Sequence, residues 1–268
     1  GRFDAELRPL KSVYRLLPHE FETALLAISS IGYGDDLRDA LHETYSAPSG
    51  TLFTYELMAH LLKHHYLDAI VNFNFDELLD RAVADELRPD EYHFVLSDGD
   101  CPDGPDDGAR QPVYLKPHGT VSHPSTLRFT REAYVGLPLG IQQFLGRLLT
   151  DRPVKLIVVG FDMKSVEFNL MLSDAHPDSL MYYVNLAKPS RDPDLPILRT
   201  KLLRVREEKA RTRLPTLNGL FQRLWSKVDA TAKRNAGVSS RTNAVTRGVE
   251  RHALIGSVFR AAPTSPAG

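Results

Sequence analysis

The run Val154-Lys-Leu-Ile-Val-Val-Gly-Phe161 narrows the folds open to this chain more than any other segment. It is apolar almost throughout, closes on a glycine, and is far shorter than the ~20 residues of a membrane span. A strand that is apolar on both faces has to be covered on both, as in a parallel sheet with helices above and below it. A second segment agrees. Leu67 to Phe75 (LDAIVNFNF) is β-branched and aromatic, and it breaks at once into DELLDRAVADEL, a charged helix with Leu78, Leu79 and Val83 facing inward. Strand followed directly by helix is half of a βαβ unit.

Further strands are expected at YHFVLS (92–97), PVYLKPHG (112–119), LRFTREAY (127–134) and LMYYVNLA (180–187), with a compact helix at GIQQFLGRLL (140–149). The start of the chain reads as helical. Phe21, Leu25 and Ile28 recur at helical spacing between Pro18 and Ile31, and Leu57, Leu61 and Leu62 share one face of TLFTYELMAHLLKHHY, for which Thr51 is a candidate N-cap. Residues 191–230 are basic and amphipathic and end in the helical pattern TLNGLFQRLWSKVDA. Residues 231–268 set Lys233, Arg234, Arg241, Arg247, Arg251 and Arg260 against Glu250, with few large apolar side chains, and read as a disordered tail. The expected organisation is therefore an α/β domain over 1–230 with a largely parallel, Rossmann-like sheet flanked by helices. It comprises N-terminal helices at 1–66, a sheet core at 67–190 and a basic helical part at 191–230, and the tail follows.

Composition removes several function classes. A formal net charge of −1 gives no whole-protein grip on nucleic acid. One cysteine, Cys101, allows neither an intramolecular disulfide nor a four-cysteine zinc site. The charged N-terminal stretch GRFDAELRPL lacks a signal-peptide core. A cytoplasmic protein with no membrane partner is expected.

In doubly wound sheets ligands bind outside the carboxyl ends of the strands, so the residues at which each strand stops carry the functional information. The first strand ends in Asn72-Phe73-Asn74-Phe75-Asp76, where period-two alternation puts the two amides and the carboxylate on one face. The next ends in Lys116-Pro117-His118-Gly119-Thr120, the strongest in Gly160-Phe161-Asp162, and the last in Asn185. Amides and a carboxylate that orient a sugar, a titratable imidazole, and glycines that admit a ligand to the backbone compose a nucleotide pocket. Each residue also has a plainer reading: Asn74 and Asp76 as helix caps, His118 and Gly119 as turn residues, Gly160 as a strand stop.

Taken in order, these segments resemble sirtuin-like NAD-processing domains. IVNFNFDELLD resembles their T-x-N-x-D element, YLKPHGTVSHPSTLRFTREAY their K-x-H-G strand and following segment, and KLIVVGFDMKSVEFNLML their third strand and helix. The likeness runs from about residue 50 to 187 and is nearest to the zinc-free domains of bacterial defence systems, many of which consume NAD+. It implies NAD+ as substrate and no metal. It implies that Asn74 holds the nicotinamide ribose and the attacking water, and that Asp76 engages the carboxamide. His118 would be the base, with Gly119 in its turn; Gly160 would pass close to the phosphates, and Asn185 would touch the adenosine ribose. The reaction implied is loss of nicotinamide through an oxocarbenium-like transition state and capture of the anomeric carbon by water, which suits a base of unperturbed pKa ~6.5.

The chain departs from that pattern in several places. The glycine-rich first turn that cradles pyrophosphate has no match; Ser29-Ser30-Ile31-Gly32-Tyr33-Gly34 follows a helical pattern and leads to Asp35 and Asp36. The resemblance thus implies either sequence ahead of Gly1 or a decayed phosphate site. Asn72 replaces a threonine, Asp162 a serine, and Ser165 an aspartate for which Glu167 is the nearest substitute. Two functions remain open: an NAD+-cleaving enzyme, and a non-catalytic module that binds a nucleotide, another protein chain or its own copy. A deacylase lacks its zinc cysteines. His60 and His64 lie one helical turn apart with His65 beside them, but no third metal ligand is identifiable and a solvated helix face is expected. The acidic loop Asp98–Asp107 lacks the calcium-loop pattern. The basic stretch Arg199–Arg213 encloses Glu207 and Glu208 and reads as a surface helix or strand rather than a nucleic-acid site.

Overall fold

The computed structural model describes residues 53–102, 111–128, 137–159, 175–186, 199–205 and 251–256, together with helical positions at 35, 39, 42, 172–173, 219–223 and 225–227. Its helices are α1 (Phe53–Lys63), α2 (Leu78–Glu86) and α3 (Leu139–Thr150). Its strands are β1 (Ala69–Asn72), β2 (His93–Val95), β3 (Val113–Leu115), β4 (Val154–Val159), β5 (Leu180–Leu186), β6 (Arg199–Val205) and β7 (Arg251–Gly256). These strands form one parallel sheet in the order β2-β3-β1-β7-β4-β5-β6. The expected α/β class and parallel sheet are both present.

Every residue of β1 is buried, and alternation divides them between two cores. Ala69, Val71 and Phe73 pack with Leu115, Leu156 and Val158 beneath α3, which contributes Ile141, Leu145 and Leu149. Ile70 and Tyr114 point the other way, into Leu57, Met58 and Leu62 of α1, Leu79 and Val83 of α2, and Phe221. The helix faces expected from spacing are thus the faces buried. Asp98 Oδ1 accepts the Ile141 N–H at 3.2 Å at the start of α3, where a carboxylate also suits the positive helix end. Asp100 Oδ2 accepts the Leu96 and Ser97 N–H groups at 3.2 and 2.8 Å. These two carboxylates of the acidic loop are thus engaged locally.

Two expectations need correction. The basic part at 191–230 is not helical throughout: β6 extends the sheet to Val205, pairing along its whole length with β5. Among the described strands it lies at the edge of the sheet. The larger correction concerns the tail. Residues 251–256 are not disordered but form β7, between β1 and β4 in the middle of the sheet. Few apolar residues suffice, because a strand paired on both sides has its backbone groups satisfied by its neighbours. The helix expected at Pro18–Ile31, the cap at Thr51 and most of the strand expected at 127–134 lie outside the described residues; Leu127 and Arg128 are not in a strand.

Candidate functional site

The chain places β1, β2 and β3 on one side of β7, then crosses over and places β4, β5 and β6 on the other. This reversal is the topological switch point of the sheet, and the crevice for a ligand lies at the carboxyl ends beside it. Gly256 ends β7 in register with Asn72 of β1 and Val159 of β4. Of the residues singled out above, Asn74 and Asp76 follow the end of β1, and Gly160 follows β4 in sequence.

β1 ends at Asn72, so strict alternation stops there, and the next residues turn. Asn72 Oδ1 accepts the Asn74 N–H at 3.1 Å, and its Nδ2 donates to the Tyr114 hydroxyl at 2.8 Å. Asn72 is therefore a buried clamp beneath the site rather than a group displayed on it. Asn74 is 8 % exposed. Asp76 Oδ1 accepts the Leu78 N–H at 3.0 Å, so one of its oxygens caps α2 and the plainer reading holds for that oxygen. Burial pushes the Asp76 carboxyl above its ordinary range, against the pull of that N–H and of Lys116.

The segment after β3 folds back over this turn. Val121 N–H donates to the Phe75 carbonyl at 3.1 Å. The His118 ring lies 4.8 Å from that of Phe73, edge to face, and 6.2 Å from that of Phe75. Since these phenylalanines flank Asn74 in sequence, His118 lies beside the Asn74 turn. Gly119 donates its N–H to the Lys116 carbonyl at 3.0 Å, closing a turn, with a φ of 80°. A Cβ there would meet the Thr126 carbonyl oxygen at 2.2 Å. Its missing side chain therefore makes room for the protein's own backbone. Asn185 lies near the carboxyl end of β5, opposite Arg204; Gly160, Asp162, Ser165 and Glu167 lie outside the described residues.

His118 is 6 % exposed, and its pKa is pushed down to about 3. Burial is the main cause and the Arg128 charge the second, opposed by a backbone hydrogen bond with Phe73. Arg128 is fixed by bonds from Nη1 to the Pro117 and Thr126 carbonyls at 3.1 and 3.3 Å. The unperturbed value expected from sequence does not apply: at working pH the imidazole is wholly neutral. This creates an acid liability. Above pH ~6.5 the group costs no stability. Below it the unfolded chain binds a proton that the folded chain refuses, and stability falls by ~1.4 kcal/mol per pH unit until about pH 3 is approached. Denaturant midpoints of wild type and His118→Gln should accordingly converge as pH drops from 7 to 5. Parallel pH profiles would contradict the burial of a neutral ring.

Below the site lies a polar network that no single motif of the sequence marks. Lys116 is fully buried, and its Nζ donates to the Asp76 carbonyl at 2.7 Å, to Asp80 Oδ2 at 2.8 Å and to Thr120 Oγ1 at 3.0 Å. Tyr114 donates to Asp80 Oδ1, and burial together with that carboxylate raises its phenol well above the ordinary value, keeping it a donor. The signal was available as the lysine of K-x-H-G and the last aspartate of DELLD, but spacing alone does not pair them. Removing Asp80 strands a buried ammonium, so Asp80→Ala should cost on the order of 3–5 kcal/mol. Lys116→Met should cost less, because Asp80 keeps partial access to water. Urea denaturation of the two variants checks the order.

A cavity of about 300 Å³ opens beside this network, lined by Glu77, Asp80, Arg81, Tyr92, Phe94 and Tyr114 among others. It reaches neither His118 nor Asn74, and it sits toward β2 rather than at the switch point, so its size does not make it the crevice for chemistry.

The family model of the SIR2-like domain matches residues 68–204, just over half of the chain. The chain belongs to the SIR2-like family. The match runs from the residue before β1 into β6 and so spans the strands that carry Asn74, His118 and Asn185; β7 lies beyond it. No curated protein matches the chain. SIR2-like domains use NAD as substrate, which gives this domain an NAD-related function. Among the described residues no helix is long and apolar enough to cross a membrane.

Proposed function

We propose that this SIR2-like domain binds NAD+ across the carboxyl ends of β1, β7 and β4 and hydrolyses it to nicotinamide and ADP-ribose. The observation that carries the reading is the position of His118, against Phe73 and Phe75 and over the Asn74 turn at the switch point. Asn74 holds the ribose and the attacking water, and Asp76 engages the carboxamide through the oxygen that does not cap α2. Asn185 touches the adenosine ribose. Gly160 and Gly256 admit the pyrophosphate to the backbone, the second standing where the sequence offered no glycine-rich turn. As the C–N bond to nicotinamide lengthens, positive charge develops on the ribose. Water attacks the anomeric carbon, loses a proton, and nicotinamide leaves as a neutral molecule.

A neutral, buried His118 accepts a hydrogen bond from ribose or water without first losing a proton. Its low proton affinity makes it a weak base in the free protein. Antiphage defence is the biological setting that the resemblance suggests for such an activity. The reading is tested by equilibrium dialysis of NAD+ against wild type and Asn74→Ala. Binding that requires Asn74 supports it. Retention of wild-type affinity in the variant would remove Asn74 from the site, and absence of binding by wild type would favour a module that uses the fold for contact with another chain.

A further inference from the structure

Where α1 and α2 end beside each other, three side chains converge that the NAD+ reading does not use. His60 and His64 stand one turn apart on α1, where residues four apart are neighbours on the helix surface. The sequence offered them no third ligand. The fold does, because α2 packs on α1 and ends at Glu86, twenty-six residues further along the chain. Glu86 Oε1 lies 2.7 Å from His60 Nδ1, and the two imidazole rings are 4.3 Å apart between centroids. One ligand atom from each of the three residues lies within 4.8 Å of the other two.

We propose that His60, His64 and Glu86 form a binding site for a divalent transition-metal ion of the zinc class, joining α1 to the end of α2. Two imidazole nitrogens and one carboxylate oxygen are a three-protein-ligand set that zinc accepts with water in the fourth position. The set disfavours magnesium and calcium, which take oxygen ligands. Ligands ~2.0–2.2 Å from a tetrahedral ion lie about 3.3 Å from one another. Around an ion the His60–Glu86 contact of 2.7 Å would open and the wider separations, up to 4.8 Å, would close; the side chains have the freedom to adjust, since His64 is exposed and His60 and Glu86 are half-buried. Lys63 Nζ lies 3.6 Å from Glu86 Oε1. It would swing into solvent as the cation took its place, since its own side chain is 40 % exposed. The site is remote from the strand ends, so the ion would clamp two helices and take no part in the proposed hydrolysis.

The molecule carries its own reporter. Trp225 is the one tryptophan of the chain, and its ring meets that of His60 edge-on with centroids 4.5 Å apart. Titration of the full chain with Zn(II) should shift tryptophan emission and saturate at one ion per chain, counted by equilibrium dialysis, while Mg(II) does nothing. His64→Ala, an exposed change that leaves the core intact, and Glu86→Gln should each weaken binding by at least about tenfold. Control substitutions at His123 and His176 should leave it unaltered. Zinc binding of undiminished affinity in both His64→Ala and Glu86→Gln would overturn the proposal. So would the absence of a saturable emission change with bound zinc in wild type.

Discussion

Leu254→Pro is expected to abolish the cooperative thermal unfolding transition of the whole domain, and deletion of residues 251–268 to do the same. β7 pairs with β1 through four positions, Ala69 to Asn72, and with β4 through six, Val154 to Val159. Without it the described sheet falls into two three-stranded pieces, β2-β3-β1 and β4-β5-β6, each with a newly exposed apolar edge. Proline removes a ladder donor and is tolerated in sheets at edges, not centrally. Leu202→Pro in β6, which among the described strands pairs with β5 alone, should therefore be much milder. Circular dichroism melts of the two proline variants make the comparison. A melt of Leu254→Pro that overlays wild type would show that β1 and β4 close without β7.

That strand also marks where sequence reasoning failed. Ala253-Leu254-Ile255-Gly256 is four residues long and set among arginines, serines and threonines, so its local pattern is that of a polar tail. Its stability comes from neighbours almost a hundred residues away and more, Val154–Val159 and Ala69–Asn72, and non-local pairing of that kind leaves no periodic trace. By contrast β1 and β4 were legible because burial on both faces writes a continuous apolar run. The faces of α1 and α2 were legible because burial on one face writes a 3.6-residue period. The place of Asn74 and His118 just beyond the carboxyl ends of β1 and β3 was legible from the strand patterns. The Lys116–Asp80–Tyr114 network was not, since residues dozens of positions apart meet there through tertiary packing alone, and the low pKa of His118 follows from burial that no motif encodes.

The second large effect concerns the reaction. His118→Ala should reduce nicotinamide release on the order of 10²–10⁴-fold, the usual range for a general base. Asn74→Ala should be comparably severe, because a misplaced ribose and water lose the benefit of orientation. His176, which precedes β5 at the amino end of the sheet and bonds to the Leu149 carbonyl through its N–H, provides a control whose replacement by alanine should leave the rate unchanged. Gly119→Ala is unsuited to probing the ligand, since Thr126 already occupies the space its Cβ would need.

In the proposed reaction His118 acts on NAD+ bound in a SIR2-like crevice. Single-turnover release of nicotinamide, followed with saturating protein for wild type and His118→Ala, tests it most directly. The predicted result is equal amounts of nicotinamide and ADP-ribose from wild type, with His118→Ala still binding NAD+ but releasing nicotinamide at least about a hundredfold more slowly. Release at the wild-type rate by His118→Ala, or none from wild type with NAD+ bound, would contradict it.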